Sequence, residues 1–186
     1  MTRVVAGSAG GRRLVVPPGR ATRPTSDRAR EGLFSALEAL RGPLTGARVL
    51  DLYAGTGAVG IEALSRGAAH VCFVESDETA VAVIRRNLHV LGLAGAVVRH
   101  QRIEKFVTTT PDGPAYGICF ADPPYAEDAG HVVTNLLAIT EHWLSHDAVV
   151  VVERSSRDPE WTWPVGLSAV RSRKYGDTTL WYGRRS

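Results

Sequence analysis

Four consecutive residues combine the groups needed to hold an amine next to a flat ring. Asp122, Pro123, Pro124 and Tyr125 follow the apolar run 117–121, which is typical of a buried strand. In open α/β sheets, ligands bind beyond the carboxyl ends of such strands. The two prolines fix φ and remove two backbone donors, so the turn is stiff and its carbonyl groups point outward. The alternative is an ordinary turn with a packed tyrosine.

A glycine turn lies earlier in the chain, between a predicted strand and a predicted helix. Gly55, Gly57 and Gly60 have the spacing of a dinucleotide-binding turn, which lets a ligand approach the backbone closely. Glu75 ends the next predicted strand about 20 residues further on, where a carboxylate can accept ribose hydroxyls. The pattern indicates an adenosine-bearing ligand and leaves NAD and S-adenosylmethionine open.

Three features favour S-adenosylmethionine. The carboxylate of Asp51, just before the turn, suits an ammonium or sulfonium group better than a pyrophosphate. The turn carries no Lys or Arg for a phosphate. The segment that starts at Asp122 has no role in hydride transfer, which is the reaction that NAD would serve.

Charge is unevenly distributed along the 186 residues. The first 30 residues hold seven arginines and one acid, whereas the whole chain has a net charge of only +3. A basic segment on a mildly acidic body favours a nucleic-acid partner, with a solvated basic tail as the alternative. Cys72 and Cys119 lie in apolar runs, and no metal-ligand spacing, membrane span or signal peptide is recognisable. We expect a cytoplasmic protein with no metal and no membrane partner.

Hydrophobic periodicity predicts alternating strands and helices. A helix from Ser26 to about Leu40 is followed by β-α units, and the chain ends in a hairpin around Gly176-Asp177. We predict an α/β fold with a doubly wound, Rossmann-like sheet of seven strands, mostly parallel with an antiparallel terminal strand. Strand-like runs at 3–6 and 12–16 predict an N-terminal β-hairpin extension. The predicted division is a basic arm over residues 1–20 and one domain over 21–186.

The motifs resemble a known class of enzymes. The block Asp51–Gly60, together with Glu75 and the Asp-Pro-Pro-Tyr motif, resembles class I S-adenosylmethionine-dependent methyltransferases that modify exocyclic amines. The segments Gly10–Leu14 and Arg23–Phe34 resemble the bacterial RsmD family more specifically. This similarity covers nearly the whole chain and ends at about Thr178.

The resemblance implies methylation of the exocyclic N2 amine of one guanine in 16S ribosomal RNA, within an assembled or assembling 30S subunit, with S-adenosylmethionine as the cofactor. The catalytic residues would be Asp122, Pro123, Pro124 and Tyr125. The cofactor-binding residues would be Asp51, Tyr53, Gly55, Thr56, Gly57, Glu75, Ser76, Arg102 and Ile103, with the last two beside the adenine. The RNA-binding residues would be Arg3, Arg12, Arg13, Arg20, Arg23, Thr25 and Arg28.

Other functions remain open from the sequence. A DNA adenine-N6 or cytosine-N4 methyltransferase would present a similar amine to the same motif, although 186 residues leave little room for a target-recognition domain. A non-catalytic RNA chaperone with the same fold would not need Asp122. An NAD oxidoreductase would bind nicotinamide.

Overall fold

The computed structural model describes residues 2–17, 26–111 and 113–186. Over these residues the chain follows the predicted alternation of helices and strands. The helices are α1 (Asp27–Arg41), α2 (Ala58–Ser65), α3 (Glu78–Leu91), α4 (Ile103–Phe106) and α5 (Ala129–His142). The strands are β1 (Arg48–Leu52), β2 (His70–Glu75), β3 (Ala96–His100), β4 (Tyr116–Ala121), β5 (Leu144–Ser155), β6 (Leu167–Tyr175) and β7 (Thr178–Arg185).

The strands form one mixed sheet in the order β3-β2-β1-β4-β5-β7-β6. Neighbours from β3 through β5 are parallel, while β7 pairs antiparallel with both β5 and β6. The predicted Rossmann-like sheet of seven strands is therefore confirmed. The chain runs outward from β1 to β3 and then returns to β4, which lies on the other side of β1.

Both faces of the sheet are covered by helices. Side chains alternate along a strand, so Val149 and Val151 of β5 face one apolar core and Val150 and Val152 face the other. Helices α1, α2 and α3 pack into the first core, and α4 and α5 pack into the second. A strand that is buried on both faces has a continuous apolar sequence, which is why the valine run 149–152 predicted β5.

Helix ends follow local capping signals. The Ser26 hydroxyl accepts a hydrogen bond from the Ala29 N–H at 3.1 Å, as expected of an N-cap residue. Asp77 caps α3 in the same way, accepting from the Ala80 N–H at 2.8 Å. Gly92 ends α3 with φ +64°, a conformation that glycine adopts readily. The short helix α4 was not predicted.

The N-terminal hairpin is shorter than predicted. The two predicted strands meet at a single antiparallel bridge between Arg3 and Arg13. The N–H groups of Val5 and Ala6 donate instead to the carboxylate of Glu62 in α2, at 2.7 and 2.9 Å. Because these two N–H groups bind Glu62, they cannot donate to the opposite strand of the hairpin.

Residues 2–17 share a core with the rest of the protein. Val4, Ala9 and Leu14 are buried in the same apolar cluster as α1 and α2. The N–H of Ser8 donates to the carbonyl of Ser65 at 2.8 Å, fixing the turn of the hairpin against α2. The predicted boundary at residue 20 lies outside the described residues, so the division into arm and domain stays a prediction.

The described helices and polar side chains include neither a membrane span nor a metal cluster. Among the described helices, none is long and apolar enough to cross a membrane. In the same part of the chain, no cluster of three His, Cys, Asp or Glu side chains could hold a metal ion. Cys72 and Cys119 are both buried.

Candidate active site

The site lies at the carboxyl edge of the sheet, where strand order reverses. From β1 the chain turns away toward β2, and the neighbouring β4 is reached only after β3. The loops after β1 and β4 therefore separate and leave a crevice, the usual ligand site of doubly wound sheets. The glycine turn follows β1, and the Asp-Pro-Pro-Tyr segment 122–125, termed here the proline corner, follows β4.

Close packing explains the glycine turn. Gly57 has φ +75° and is the N-cap residue of α2. A Cβ atom at Gly60 would lie 2.2 Å from Cε1 of Phe73 in β2, so only glycine lets α2 approach the sheet. The buried carboxylate of Asp51 accepts from the Gly60 N–H at 2.9 Å and joins the end of β1 to the first turn of α2.

A cavity of about 180 Å³ lies beside the glycine turn. At its edge, the two oxygens of Glu75 accept from the N–H groups of Gly55 and Asp77, at 2.7 and 2.8 Å. This cavity, the cofactor pocket, brings together five of the residues predicted to bind the cofactor and one from the proline corner. Its walls are Tyr53, Glu75, Ser76, Arg102, Ile103 and Pro124, with Val74, Gln101, Glu104 and Glu127.

Tyr53 is held in place by α5, which covers the face of the sheet opposite to α2. It directly follows β1 and has φ +57°. Its hydroxyl accepts a hydrogen bond from Nδ2 of the buried Asn135 in α5, at 3.4 Å. Burial raises the pKa of Tyr53 to about 12, so the ring stays neutral. The ring is thus a fixed, uncharged wall of the cofactor pocket.

The proline corner separates two cavities. Pro123 is buried, whereas Pro124 is exposed and lines the cofactor pocket. Tyr125 is 55% exposed and lines a second, larger cavity of about 470 Å³ on the other side. The carbonyl of Pro124 accepts from the Glu127 N–H at 2.8 Å, while in the described part of the chain no protein N–H reaches the carbonyl of Pro123.

The second cavity, termed the outer cleft, has walls from four separate parts of the fold. Ser26 and Arg28 come from the start of α1, and Glu153 comes from the end of β5. The turn between β6 and β7 supplies a further wall. These residues are Arg173, Lys174, Tyr175, Gly176, Asp177 and Thr178, and Ala29 and Tyr125 complete the lining.

Carboxyl groups converge between the two cavities. The pKa of Asp122 is raised well above its usual value, first by burial and then by the nearby charges of Glu153 and Asp51, and Arg154 partly offsets this. Burial raises the pKa of Asp51 to about 8, against the lowering effect of its bond from Gly60. A cationic ligand would stabilise the ionised form of these carboxyl groups, so the site favours a cation.

Two residues predicted to bind RNA make contacts within the protein. Arg3 pairs with Asp27 at 3.3 Å, although its side chain is 64% exposed. Arg12 donates from Nη2 to the carbonyl of Val90, in the last turn of α3, at 2.8 Å. Both contacts hold the N-terminal segment on the body, and a role for either residue in binding RNA stays a prediction.

The other residues predicted for cofactor and RNA fall in different places. Arg13 is exposed and Arg28 lines the outer cleft. Arg20, Arg23 and Thr25 lie outside the described residues. Thr56 is buried in the glycine turn, and its contact with the cofactor stays a prediction.

Several residues at the site were missed from the sequence. Gln101 and Glu127 line the cofactor pocket but stand in loops without a motif. Arg154 packs beside the proline corner, donating to Asp158 at 3.0 Å and to the carbonyl of Glu127 at 3.5 Å. The signal that could have found Glu153 is its position, because it stands at the carboxyl end of an apolar strand run, as Asp51, Glu75 and Asp122 do.

Comparison with known proteins gives close matches over the whole fold. Ribosomal RNA small subunit methyltransferase D of Escherichia coli K12 is 34% identical over 174 residues, covering 94% of this chain and 85% of that protein. The solved structure of the yhhF protein of Escherichia coli covers 99% of this chain and 97% of its own, with 30% identity and a TM-score of 0.86. A hypothetical protein of Thermus thermophilus covers 98% of both chains, with 32% identity and a TM-score of 0.82.

The sheet order, the glycine turn and the proline corner together define the class: an α/β protein with the methyltransferase fold. The family described as conserved hypothetical protein 95 matches residues 2–184. The chain belongs to this family, and the resemblance to the RsmD family is confirmed.

Proposed function

We propose that this protein methylates the exocyclic N2 amine of a guanine in 16S ribosomal RNA, using S-adenosylmethionine. The observation that carries the proposal is the position of the proline corner. Pro124 lines the cofactor pocket and the adjacent Tyr125 lines the outer cleft, so the corner lies between a cavity that would hold the methyl donor and one that would hold the base. The name of the Escherichia coli relative supports ribosomal RNA of the small subunit as the substrate.

The residues of the cofactor pocket fit S-adenosylmethionine. Glu75 would hold the ribose hydroxyls, and its two bonds from backbone N–H groups already fix its orientation. Arg102 and Ile103 would lie beside the adenine, and the cationic end of the cofactor would favour the ionised form of the Asp51 carboxyl group. When bound, the cofactor supplies an electrophilic methyl group, whose bond to sulfur breaks as its bond to nitrogen forms.

Asp122 and Pro123 would hold the amine of the base. The lone pair of guanine N2 is delocalised into the ring, which makes this nitrogen a weak nucleophile. The Asp122 carboxylate and the Pro123 carbonyl can each accept one N–H, which favours a pyramidal nitrogen and stabilises its developing positive charge. The excess proton leaves to solvent after transfer, because a tetrahedral ammonium nitrogen is acidic.

Tyr125 would stack on the base in the outer cleft. Its ring is more than half exposed, and base stacking on an aromatic ring contributes about 1–3 kcal/mol. A paired guanine must first be flipped out of its helix to enter such a cleft. The 30S subunit, assembled or assembling, would present the base to the outer cleft.

Basic residues at the rim of the outer cleft and on the N-terminal segment would position the RNA. Arg13 in the N-terminal segment and Arg28 in the first turn of α1 are both exposed. Arg20, Arg23 and Thr25 were predicted to join them from the sequence. Contacts of this kind go to phosphates, so they would set the register of the RNA without selecting the base.

The test is methyl transfer to unmethylated small subunits from labelled cofactor, followed by nucleoside analysis. We expect label in N2-methylguanosine, and we expect Asp122→Ala to lower the rate far more than about tenfold while cofactor binding is retained. Asp128→Ala, at the exposed N-cap of α5, is the matched control. Label on adenine or on DNA would instead support the DNA amino-methyltransferase alternative.

A further inference from the structure

The outer cleft contains one buried acid that the proposed mechanism does not use. Glu153 is only 4% exposed and is nevertheless part of the cleft lining. The other ionisable groups of this cavity lie at its rim: Arg28, Arg173 and Lys174 are exposed cations, and Asp177 is an exposed acid in the β6–β7 turn. A carboxylate at the floor with cations at the rim matches a nucleotide, whose base has N–H donors and whose phosphate is anionic.

Strand pairing places Glu153 beside Asp122. Ala121 of β4 pairs with Val152 of β5, so the next residues of the two strands are neighbours at the carboxyl edge of the sheet. Parallel strands lie about 4.8 Å apart, a separation that lets two carboxylates contact adjacent atoms of one base. This closeness is reflected in the pKa of Asp122, which the charge of Glu153 raises.

The side chain of Glu153 points to the face of the sheet that α1 covers. Val149 and Val151 lie in the core formed with α1, and alternation along β5 places Glu153 on that same side. Its partner across the sheet, Leu180 of β7, belongs to the same core. The start of α1 is one wall of the outer cleft, so the carboxylate reaches the cleft from its floor.

Base chemistry gives this second carboxylate a specific use. In guanine, one of the two ring nitrogens next to the amine-bearing carbon, N1, carries a hydrogen. In adenine and cytosine, the ring nitrogen next to the amine-bearing carbon has a lone pair instead. A carboxylate beside the group that holds the amine therefore attracts guanine, and it meets a lone pair when either of the other two bases enters.

We propose that Glu153 is the specificity residue that selects guanine, by accepting the N1–H while Asp122 holds the N2 amine. This inference rests on the proposed function and names how the same site chooses its base. It assigns to Glu153 a direct contact with substrate and no part in the transfer of the methyl group. It also gives a physical reason for excluding adenine and cytosine from a cleft that could admit both.

The test uses small subunits reconstituted with 16S RNA that carries a single guanine, 2-aminopurine or 2,6-diaminopurine at the target position. Both analogues keep the 2-amine but have a lone pair at N1. The wild-type protein should methylate guanine at least about tenfold faster than either analogue, as expected when a base-specific hydrogen bond is lost. Equal rates for the three bases would overturn the inference, and this comparison needs no variant.

A substitution then assigns the discrimination to one residue. Glu153→Gln can donate an N–H to the lone pair at N1, so the preference for guanine should shrink to within about threefold. Glu141→Gln, an exposed acid near the end of α5, should keep the wild-type preference. A folded Glu153→Gln protein with the full wild-type preference would overturn the assignment. If the wild-type protein does not label guanine at all, the proposed function itself fails, which is a separate result.

Discussion

The carboxylate of Glu75 accepts a hydrogen bond from the backbone N–H of Gly55 at 2.7 Å. The two residues are 20 positions apart, one at the end of β2 and the other in the turn after β1. Because Glu75 also accepts from the Asp77 N–H, its two oxygens hold two loops at once. The group expected to bind ribose therefore also sets the shape of the glycine turn.

Replacing Glu75 by Gln should weaken cofactor binding. An amide presents an N–H₂ group to one of two backbone donors, so one of the two loops must move. Loss of a hydrogen bond to a charged group costs about 1.5–3 kcal/mol, and we expect that loss in the affinity for S-adenosylhomocysteine measured by titration calorimetry. Glu78→Gln, exposed in the first turn of α3, should bind normally. Unchanged affinity in the Glu75 variant would contradict this role.

The stability of the unliganded protein should fall as pH rises toward 8. Because burial raises the pKa of Asp51 to about 8 from its ordinary value of 3.8, the folded state holds a proton that the unfolded state has released. Between these two pH values, ionisation therefore favours unfolding, and the effect levels off above about pH 8. We expect the melting temperature of Asp51→Asn to decline less than that of the wild type from about pH 5 to about pH 8. Parallel curves for the two proteins would show that Asp51 does not titrate in this way.

Two adjacent arginines should have separable roles. Both side chains are exposed, but Arg12 donates to the carbonyl of Val90, whereas the Arg13 side chain makes no hydrogen bond or ion pair with the described residues. Arg12→Ala should therefore lower the free energy of unfolding by about 0.5–1.5 kcal/mol. Arg13→Ala should leave stability unchanged and reduce the salt dependence of RNA binding by about one counterion. The measurements are urea unfolding and RNA titrations at several salt concentrations. A loss of stability in Arg13→Ala, or a reduced salt dependence only in Arg12→Ala, would contradict these separate roles.

The sheet could be predicted from the sequence because its signals are local. The valine run 148–152, the acids after the strands and the glycine spacing each act within a few residues. The position of β7 between β5 and β6 was not predictable in the same way, because a hairpin turn pairs its own strands without saying which one meets the sheet. The short helix α4 carries too few residues to show a period.

The contacts that hold the N-terminal segment are long-range and were missed. Glu62 lies within an apolar helix and is fully buried, yet its partners Val5 and Ala6 are 57 and 56 positions away. Arg12 was interpreted only as a phosphate ligand, because its partner Val90 is 78 positions further along the chain. Glu153 was missed for the same reason, because the outer cleft that it lines is completed by α1, more than 100 positions earlier in the chain.

Two glycines of the N-terminal segment offer a matched test of how firmly it is held. Gly7 and Gly11 both have φ +81°, so a side chain strains the backbone equally at either position. At Gly7, however, a Cβ atom would lie 1.9 Å from the carbonyl oxygen of Ser65, whereas at Gly11 it would meet nothing within 4 Å.

We therefore expect Gly11→Ala to cost about 1–2 kcal/mol of unfolding free energy, the strain of the left-handed conformation alone. Gly7→Ala should cost about 2–5 kcal/mol, since overpacking against Ser65 adds to that strain. If the segment must lie on α2 to contact RNA, Gly7→Ala should also bind RNA more weakly than Gly11→Ala. Equal stability of the two variants in urea unfolding would show that the turn moves off α2 at little cost, and that the segment is held mainly by Glu62.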